Sequence, residues 1–383
     1  MTTKKHSDAV RVGVLFSSTG FTSKIERSQM EGTLFAIDEI NQNGGVNGRE
    51  IIPFYYDPAS SPHAFAAYAE KLIKRDQVNV IFGCYMSSTR KAVIPIIEKW
   101  QKLLFYPTPY EGFEFSNNII YTGASPNQNS FFLADYMASH YGTRVYMVGS
   151  NYIYPYESNR IMSDFMTNFP GGAVVSERYM DLNAGREDFR SIVQDIKLAR
   201  PDFIFSTVVG KSTQEFYLAC HDVGLHPDEI PIASLTTSEA EISEMKSGVA
   251  AGHITSAPYF QSIDSKCNKD IISRFKKSRF YTVEPNMCWE AAYFQVHLFA
   301  NAMKKSNSDD ISQLLPHLLN SEYDAPQGKV KINPHNNHTL LYPKIGMVDN
   351  QGQFSILKEV SQGVDADPYF VNYSPPGVDN DDQ

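Results

Sequence analysis

From residue 10 to about 259, short apolar runs alternate with longer stretches whose apolar positions recur at helical spacing. The first run, 9–16, reads as a strand. Met30, Leu34, Ile37 and Ile40 then mark one face of an amphipathic helix, which stops at Asn43-Gly44-Gly45, a glycine-based C-terminal signal. A strand over 50–56, a helix through 64–73, a strand over 78–82 and a helix over 88–100 continue the rhythm. Further on, helices over 129–140, 156–169, 188–198 and 212–223 alternate with strands over 145–148, 173–177, 203–208 and 231–233. Such βα alternation predicts an α/β fold, with parallel sheets covered by helices on both faces. Beyond 259, helices over 266–280, 287–303 and 309–319 precede β-like segments at 330–332, 340–348 and 353–357.

A chain of 383 residues exceeds what one core usually holds, so two lobes are expected. The breaker-rich Gly123-Ala124-Ser125-Pro126 closes the first lobe. The N-terminal lobe is expected at 9–124 and 260–330, the C-terminal lobe at 125–259 and 331–372, and a disordered acidic tail at 373–383. With 42% hydrophobic and 20% charged residues the chain is globular. A net charge of −9, with no long Lys/Arg run, argues against direct nucleic-acid binding. The densest basic stretch, Lys276-Lys277-Ser278-Arg279, reads as the solvated end of a helix. No stretch approaches the roughly twenty apolar residues that a membrane span requires.

The first residues, Met1-Thr2-Thr3-Lys4-Lys5-His6-Ser7-Asp8, run into the first strand without an apolar leader core or cleavage site. They read as the start of a cytoplasmic protein. Cys84, Cys220, Cys267 and Cys288 are widely spaced and lack a CxxC pattern, so buried thiols are expected rather than disulfides.

The candidate chemistry lies where strands end. Gly83-Cys84-Tyr85-Met86-Ser87-Ser88-Thr89, Tyr106-Pro107-Thr108-Pro109-Tyr110, Ser150-Asn151-Tyr152-Ile153-Tyr154-Pro155 and Leu235-Thr236-Thr237-Ser238 each follow an apolar run. In open α/β sheets, ligands sit beyond the carboxyl ends of the strands. Hydroxyls and tyrosine rings at four such ends, without clustered charge, point to a small, neutral, hydrogen-bonding ligand in a cleft between the lobes. Among Ser87, Ser88 and Thr89, one hydroxyl is expected to cap the helix and others to meet a ligand. Thr108, between two prolines, presents its hydroxyl in a fixed direction. Tyr152 and Tyr154 face the same way if their segment is extended, and can wall a small pocket.

Catalytic signals are weak. Ser87 lies in no Gly-x-Ser-x-Gly elbow, and the ten histidines carry no partner motif. His335-Asn336-Asn337-His338 lacks an acidic or third ligand nearby, so no metal is expected. Cys84, at the start of a helix, reads as a buried thiol rather than an activated nucleophile. The glycines of Asn43-Gly44-Gly45-Val46-Asn47-Gly48 follow a helix, and so are not a dinucleotide loop. No enzyme activity and no cofactor are expected.

At these strand ends the chain resembles the type I periplasmic-binding-protein family. The resemblance lies in the branch holding the amide sensor of the aliphatic amidase operon and the urea and short-chain-amide transport receptors. It runs from about Val10 to Tyr369. It is carried by Gly83–Val93, by Tyr106-Pro107-Thr108-Pro109-Tyr110-Glu111-Gly112-Phe113-Glu114, by Pro126-Asn127-Gln128-Asn129, by Ser206-Thr207-Val208-Val209-Gly210 and by the segment from Ala233 to Glu241. Ser17-Ser18-Thr19-Gly20, Asp324-Ala325-Pro326-Gln327-Gly328 and Asn336-Asn337-His338 fit the same pattern. Urea transport receptors typically read Trp-Thr-Ser where this chain has Tyr85-Met86-Ser87, and Val-Gln-Tyr where it has Thr108-Pro109-Tyr110. Those differences, and Thr236-Thr237-Ser238, fall on the sensor side.

The resemblance implies a two-lobe fold with a ligand cleft. It implies amide contacts from Tyr85, Ser87, Tyr106, Thr108, Pro109 and Tyr152, with Tyr154, Val208 and Thr236 on the far wall. It also implies a cytoplasmic amide sensor that silences an RNA-binding antiterminator until an amide or urea arrives. The alternative is the solute receptor of a urea or short-chain-amide ABC transporter. A homo-oligomer is compatible with either.

Overall fold

The computed structural model describes residues 9–371, so the acidic tail expected at 373–383 lies outside the described residues. The chain opens with β1 (Val10–Leu15), α1 (Ser23–Gln42), β2 (Ile51–Tyr55), α2 (Pro62–Lys74), β3 (Val80–Gly83), α3 (Ser87–Lys99), β4 (Leu103–Tyr106) and β5 (Ile119–Tyr121). Then come α4 (Ser130–His140), β6 (Arg144–Ser150), α5 (Ile153–Thr167), β7 (Ala173–Met180), α6 (Arg190–Ala199), β8 (Phe203–Thr207), α7 (Lys211–Asp222), β9 (Ile232–Ser234), α8 (Glu239–Ile242) and β10 (Ile254–Ala257). The last part holds α9 (Lys266–Lys277), α10 (Met287–Ser306), α11 (Ile311–Leu318), β11 (Glu322–Ala325), β12 (Gly328–Ile332), β13 (Thr339–Leu340), β14 (Lys344–Val348) and β15 (Phe354–Glu359).

These elements form two compact units. The first comprises the chain up to Thr108, Phe115–Gly123 and Ser265–Leu340. Its parallel sheet has the order β2-β1-β3-β4-β5. β3, β4 and β5 are buried throughout, as expected of parallel strands covered on both faces. Helix α1 ends where the glycine signal placed its stop, with Asn43 as C-cap and Gly44 and Gly45 at φ of +90° and +73°. Helix α10 packs against α1 at Gly32, where an added Cβ would lie 2.5 Å from the Trp289 carbonyl oxygen. Trp289 also stacks on Tyr293, with ring centroids 5.5 Å apart. The small antiparallel sheet β11-β12-β13 belongs to this unit as well.

The second unit comprises Pro109–Glu114, Ala124–Asp264 and the chain from Leu341 onward. Its sheet runs β15-β14-β10-β9-β8-β6-β7. β7, β6, β8, β9 and β10 are parallel, but β14 and β15 join antiparallel, so this sheet is mixed rather than wholly parallel. The reason lies in the connections. β14 and β15 are joined by a tight turn at Asp349–Gly352, too short for the helical crossover that a parallel pair needs. Its core centres on Leu133, Met137, Met147, Met162, Phe203 and Phe205.

Candidate ligand-binding site

In the first unit, β3 delivers the chain to its carboxyl end at Gly83, where an added Cβ would lie 2.8 Å from the Leu15 carbonyl oxygen. Cys84 follows at φ +71°, a conformation costly for a residue with a side chain. It is anchored by its N–H, which donates to Leu15 O at 3.1 Å. Its carbonyl is thereby turned toward Thr108, whose hydroxyl donates to it at 3.2 Å. The Cys84 thiol is fully buried, and burial, reinforced by the nearby Glu26, pushes its pKa well above the ordinary thiol range. Burial thus disfavours the thiolate form. Cys220 and Cys288 are buried too, whereas Cys267 is exposed, which corrects the expectation for that residue.

Helix α3 starts at Ser87, and the N-cap is Met86, which makes no side-chain cap hydrogen bond. The cap expected among Ser87, Ser88 and Thr89 is therefore absent. The chain leaves Cys84 in a strained turn and enters the helix one residue early, which puts all three hydroxyls inside its first turn. Thr89 Oγ1 donates to Met86 O at 2.7 Å. Arg90, fully buried, lies with its guanidinium 4.7 Å from the Tyr106 ring centroid and Nη1 3.4 Å from Ser87 Oγ.

At the end of β4, the Tyr106 hydroxyl donates to Tyr85 O at 2.6 Å. The Tyr106 ring meets Tyr121 edge-on, and Tyr121 stacks on His338 at 4.3 Å. His338 thus belongs to an aromatic column, and no group of three His, Cys, Asp or Glu residues that could hold a metal occurs among the described residues. The structure brings Tyr85, Ser87, Tyr106 and Thr108 together at the adjacent ends of β3 and β4. Sequence reasoning missed Gln29 of α1. It is fully buried, and its Nε2 donates to Thr108 Oγ1 at 2.8 Å and to Pro107 O at 3.0 Å. A polar residue on the apolar face of an amphipathic helix was the available signal.

Two acids of this unit, Asp57 and Glu26, accept hydrogen bonds from their own neighbours. Asp57 accepts from Ser18 and Thr19; burial raises its pKa, but hydrogen bonds from Ser18, Ala59 and Thr19 outweigh this and hold it at about 2. Glu26 accepts from Ser17 N at 2.7 Å and from the Thr22 hydroxyl, and burial lifts it to about 7.

In the second unit, Tyr152 is the N-cap of α5, with extended backbone, and its N–H donates to Ser150 O at 2.9 Å. Helix α5 begins at Ile153 rather than 156, so Tyr154 is helical and buried, not part of an extended pair with Tyr152. The two rings still lie near one another, with centroids 6.3 Å apart. Val208 is buried after β8, and its carbonyl accepts from Thr213 Oγ1 at 3.0 Å. After β9, Ser234 Oγ accepts from the N–H groups of Thr236 and Thr237, both at 3.1 Å. Glu241 accepts from Ser238 N and Oγ as a capping box, and Glu239 from Gln261 N at 2.7 Å. Pro109 belongs to this unit and is buried. Tyr152, Val208 and Thr236 therefore sit at the ends of β6, β8 and β9.

The sequence pattern of the periplasmic binding protein domain matches residues 10–375, nearly the whole chain. The protein belongs to that family. It is similar to the leucine-, isoleucine-, valine-, threonine- and alanine-binding protein of Pseudomonas aeruginosa, 23% identical over 85% of this chain and 86% of that one. It is also 23% identical to Leu/Ile/Val-binding protein homolog 6 of Brucella melitensis, over 87% and 86% of the two chains. Among solved structures, an ABC-transporter solute-binding protein of Rhodopseudomonas palustris in complex with 3,4-dihydroxybenzoic acid superposes with a TM-score of 0.84. It covers 94% of this chain and 99% of its own, at 22% identity. The branched-chain amino acid binding protein of Streptococcus pneumoniae with isoleucine gives 0.79, covering 93% and 99% at 16% identity.

The fold is accordingly the two-lobe α/β architecture of periplasmic binding proteins, and the protein is a binding protein rather than an enzyme. The expectation of a cytoplasmic location is overturned, because the family is one of periplasmic solute-binding proteins. An N-terminal stretch without an apolar leader core was too weak a basis for it.

Proposed function

We propose that this protein is the solute-binding receptor of an ABC transporter and takes a small neutral amide or urea. One observation carries the choice of solute: both hydroxyls at the end of β4 have spent their protons on backbone carbonyls, Tyr106 on Tyr85 O and Thr108 on Cys84 O. With those protons committed, either hydroxyl can act toward a solute as an acceptor alone, and so suits a solute that donates N–H groups. The complementary donors are the hydroxyl of Ser87 and the first amides of α3, whose N-cap Met86 makes no side-chain cap hydrogen bond. An amide offers both N–H donors and a carbonyl acceptor without net charge.

An amino-acid ammonium would also donate, as the names of the relatives invite one to ask. It calls for a carboxylate partner, however, and in the unit of β3 and β4 both oxygens of Asp57 and of Glu26 already accept from Ser18, Thr19, Ser17 and Thr22. A sensor that silences an antiterminator would need the cytoplasmic location that family membership overturns, so the transport reading is taken.

Titration calorimetry with acetamide, urea, leucine and benzoate is the test. Acetamide or urea is expected to bind, and leucine and benzoate at least a hundredfold more weakly. Tight leucine or benzoate binding with no response to amides would replace the proposed solute.

A further inference from the structure

We propose that Gln29, buried in α1 and remote in sequence from every strand end, sets the hydrogen-bond polarity of the site. It does so by forcing Thr108 to accept rather than donate. The inference rests on the reading above that Thr108 meets the solute.

The orientation of the Gln29 carboxamide follows from its partners. Pro107 O can only accept, so the Gln29 atom 3.0 Å from it must be the nitrogen. The second proton of that nitrogen goes to Thr108 Oγ1 at 2.8 Å. Both protons are then used, while Gln29 Oε1, also buried, has no hydrogen-bond partner among the described residues. That unpaired acceptor is a cost, which the two donated bonds offset; the flipped carboxamide would set its oxygen against Pro107 O. Thr108 Oγ1 receives one proton from Gln29 and passes its own to Cys84 O at 3.2 Å. Rotating the Thr108 proton toward a solute would break the bond to Cys84 O. Rotating it toward Gln29 would oppose two protons.

The hydroxyl is therefore locked as an acceptor. A solute N–H finds a lone pair there, whereas a carbonyl or carboxylate oxygen meets lone-pair repulsion. Polar sites built this way reject mismatched analogues strongly, because the mismatch leaves buried groups unpaired. Gln29 is thus a positioning residue for specificity and need not touch the solute.

The experiment compares wild type with Gln29→Met, which keeps the length and removes both donors. Calorimetry measures acetamide against acetate, and leucine against 4-methylpentanoate, each pair differing in its N–H groups. Wild type is expected to favour the N–H member of whichever pair binds. Gln29→Met is expected to narrow that preference at least tenfold, because the Thr108 proton becomes free to turn. A ratio that stays the same, or weakening of both members in parallel, would overturn the proposal.

A solute-free readout accompanies it. In nitrogen–proton NMR spectra of wild type, the Gln29 side-chain amide pair, assigned through its proximity to the Thr108 methyl, is expected to be protected from hydrogen exchange at both protons. Rapid exchange at either proton overturns the lock, whether or not Gln29→Met folds. Protected Gln29 protons together with a preference for leucine over acetamide would keep the lock and sink only the amide reading.

Discussion

Gly123 passes so close to Thr108 that a Cβ added to it would lie 2.1 Å from the Thr108 carbonyl carbon and oxygen and 2.6 Å from its nitrogen. The exit of β5 is pressed against the tip of β4, and the N–H groups of Thr122 and Gly123 both donate to Tyr106 O, at 3.0 and 3.3 Å. The contact lies on backbone, which cannot swing aside as a flexible side chain can. Gly123→Ala is therefore expected to displace Thr108, weaken amide binding more than tenfold and cost about 1–3 kcal/mol of stability. Calorimetry and urea unfolding check this, and normal affinity would show that Thr108 takes no part in binding.

Ser87→Ala is expected to weaken amide binding by about 0.5–1.5 kcal/mol, and by up to about 3 kcal/mol if a solute group is left unpaired. Met86 and not Ser87 holds the N-cap, but the buried Arg90 loses Ser87 Oγ at 3.4 Å, so stability should fall by about 1–3 kcal/mol. A titration indistinguishable from wild type would remove Ser87 from the site.

Glu26 gives stability a pH dependence of determined sign. Burial raises its folded pKa from 4.5 to about 7, so the native state holds a proton that the unfolded chain releases between those values. The stability tied to that proton is fully present below 4.5 and is lost as pH rises through about 7. The two-and-a-half-unit shift corresponds to at most about 3 kcal/mol. Buried His253 and His297, held down to about 3 by burial, act oppositely, but only below the ordinary histidine value of 6.5. Between pH 6.5 and 8 the Glu26 effect therefore stands by itself among these three groups. Glu26→Gln, a stand-in for the protonated acid, should match wild type at pH 5 and unfold at a higher temperature than wild type at pH 8. Parallel melting curves at both pH values would refute it.

Gly32→Ala tests the α1–α10 contact. The new methyl would meet the Trp289 carbonyl oxygen at 2.5 Å and its Cδ1 at 3.2 Å. Overpacking of this kind typically costs about 1–3 kcal/mol. Urea midpoints should fall accordingly, and amide affinity should fall with them only if the shift of α1 carries Gln29, one turn away, off Thr108. An unchanged midpoint would mean that the helices separate freely.

Much of the frame was legible along the chain. The α1 stop at Asn43-Gly44-Gly45, the strands around 80–83 and 103–106 and the polar segments after them all follow from periodicity and turn chemistry, which act over a few residues. Short β5 and β10 escaped notice, since three or four buried residues carry no period of their own. Family resemblance added the residues of the candidate site, but its sensor branch and the N-terminal stretch together misled on location.

What the sequence by itself determined was where polar groups leave the ends of strands, because strand, turn and helix start are local choices. Only the tertiary structure decided what those groups can do. Met86 displaced Ser87 as the cap because Cys84, held at φ +71° against Leu15, fixes where α3 begins. Thr108 became an acceptor because Gln29, 79 positions earlier, reaches it from another element. Sheet order and the direction of a hydroxyl proton depend on which distant groups meet, and no local pattern of residues records that.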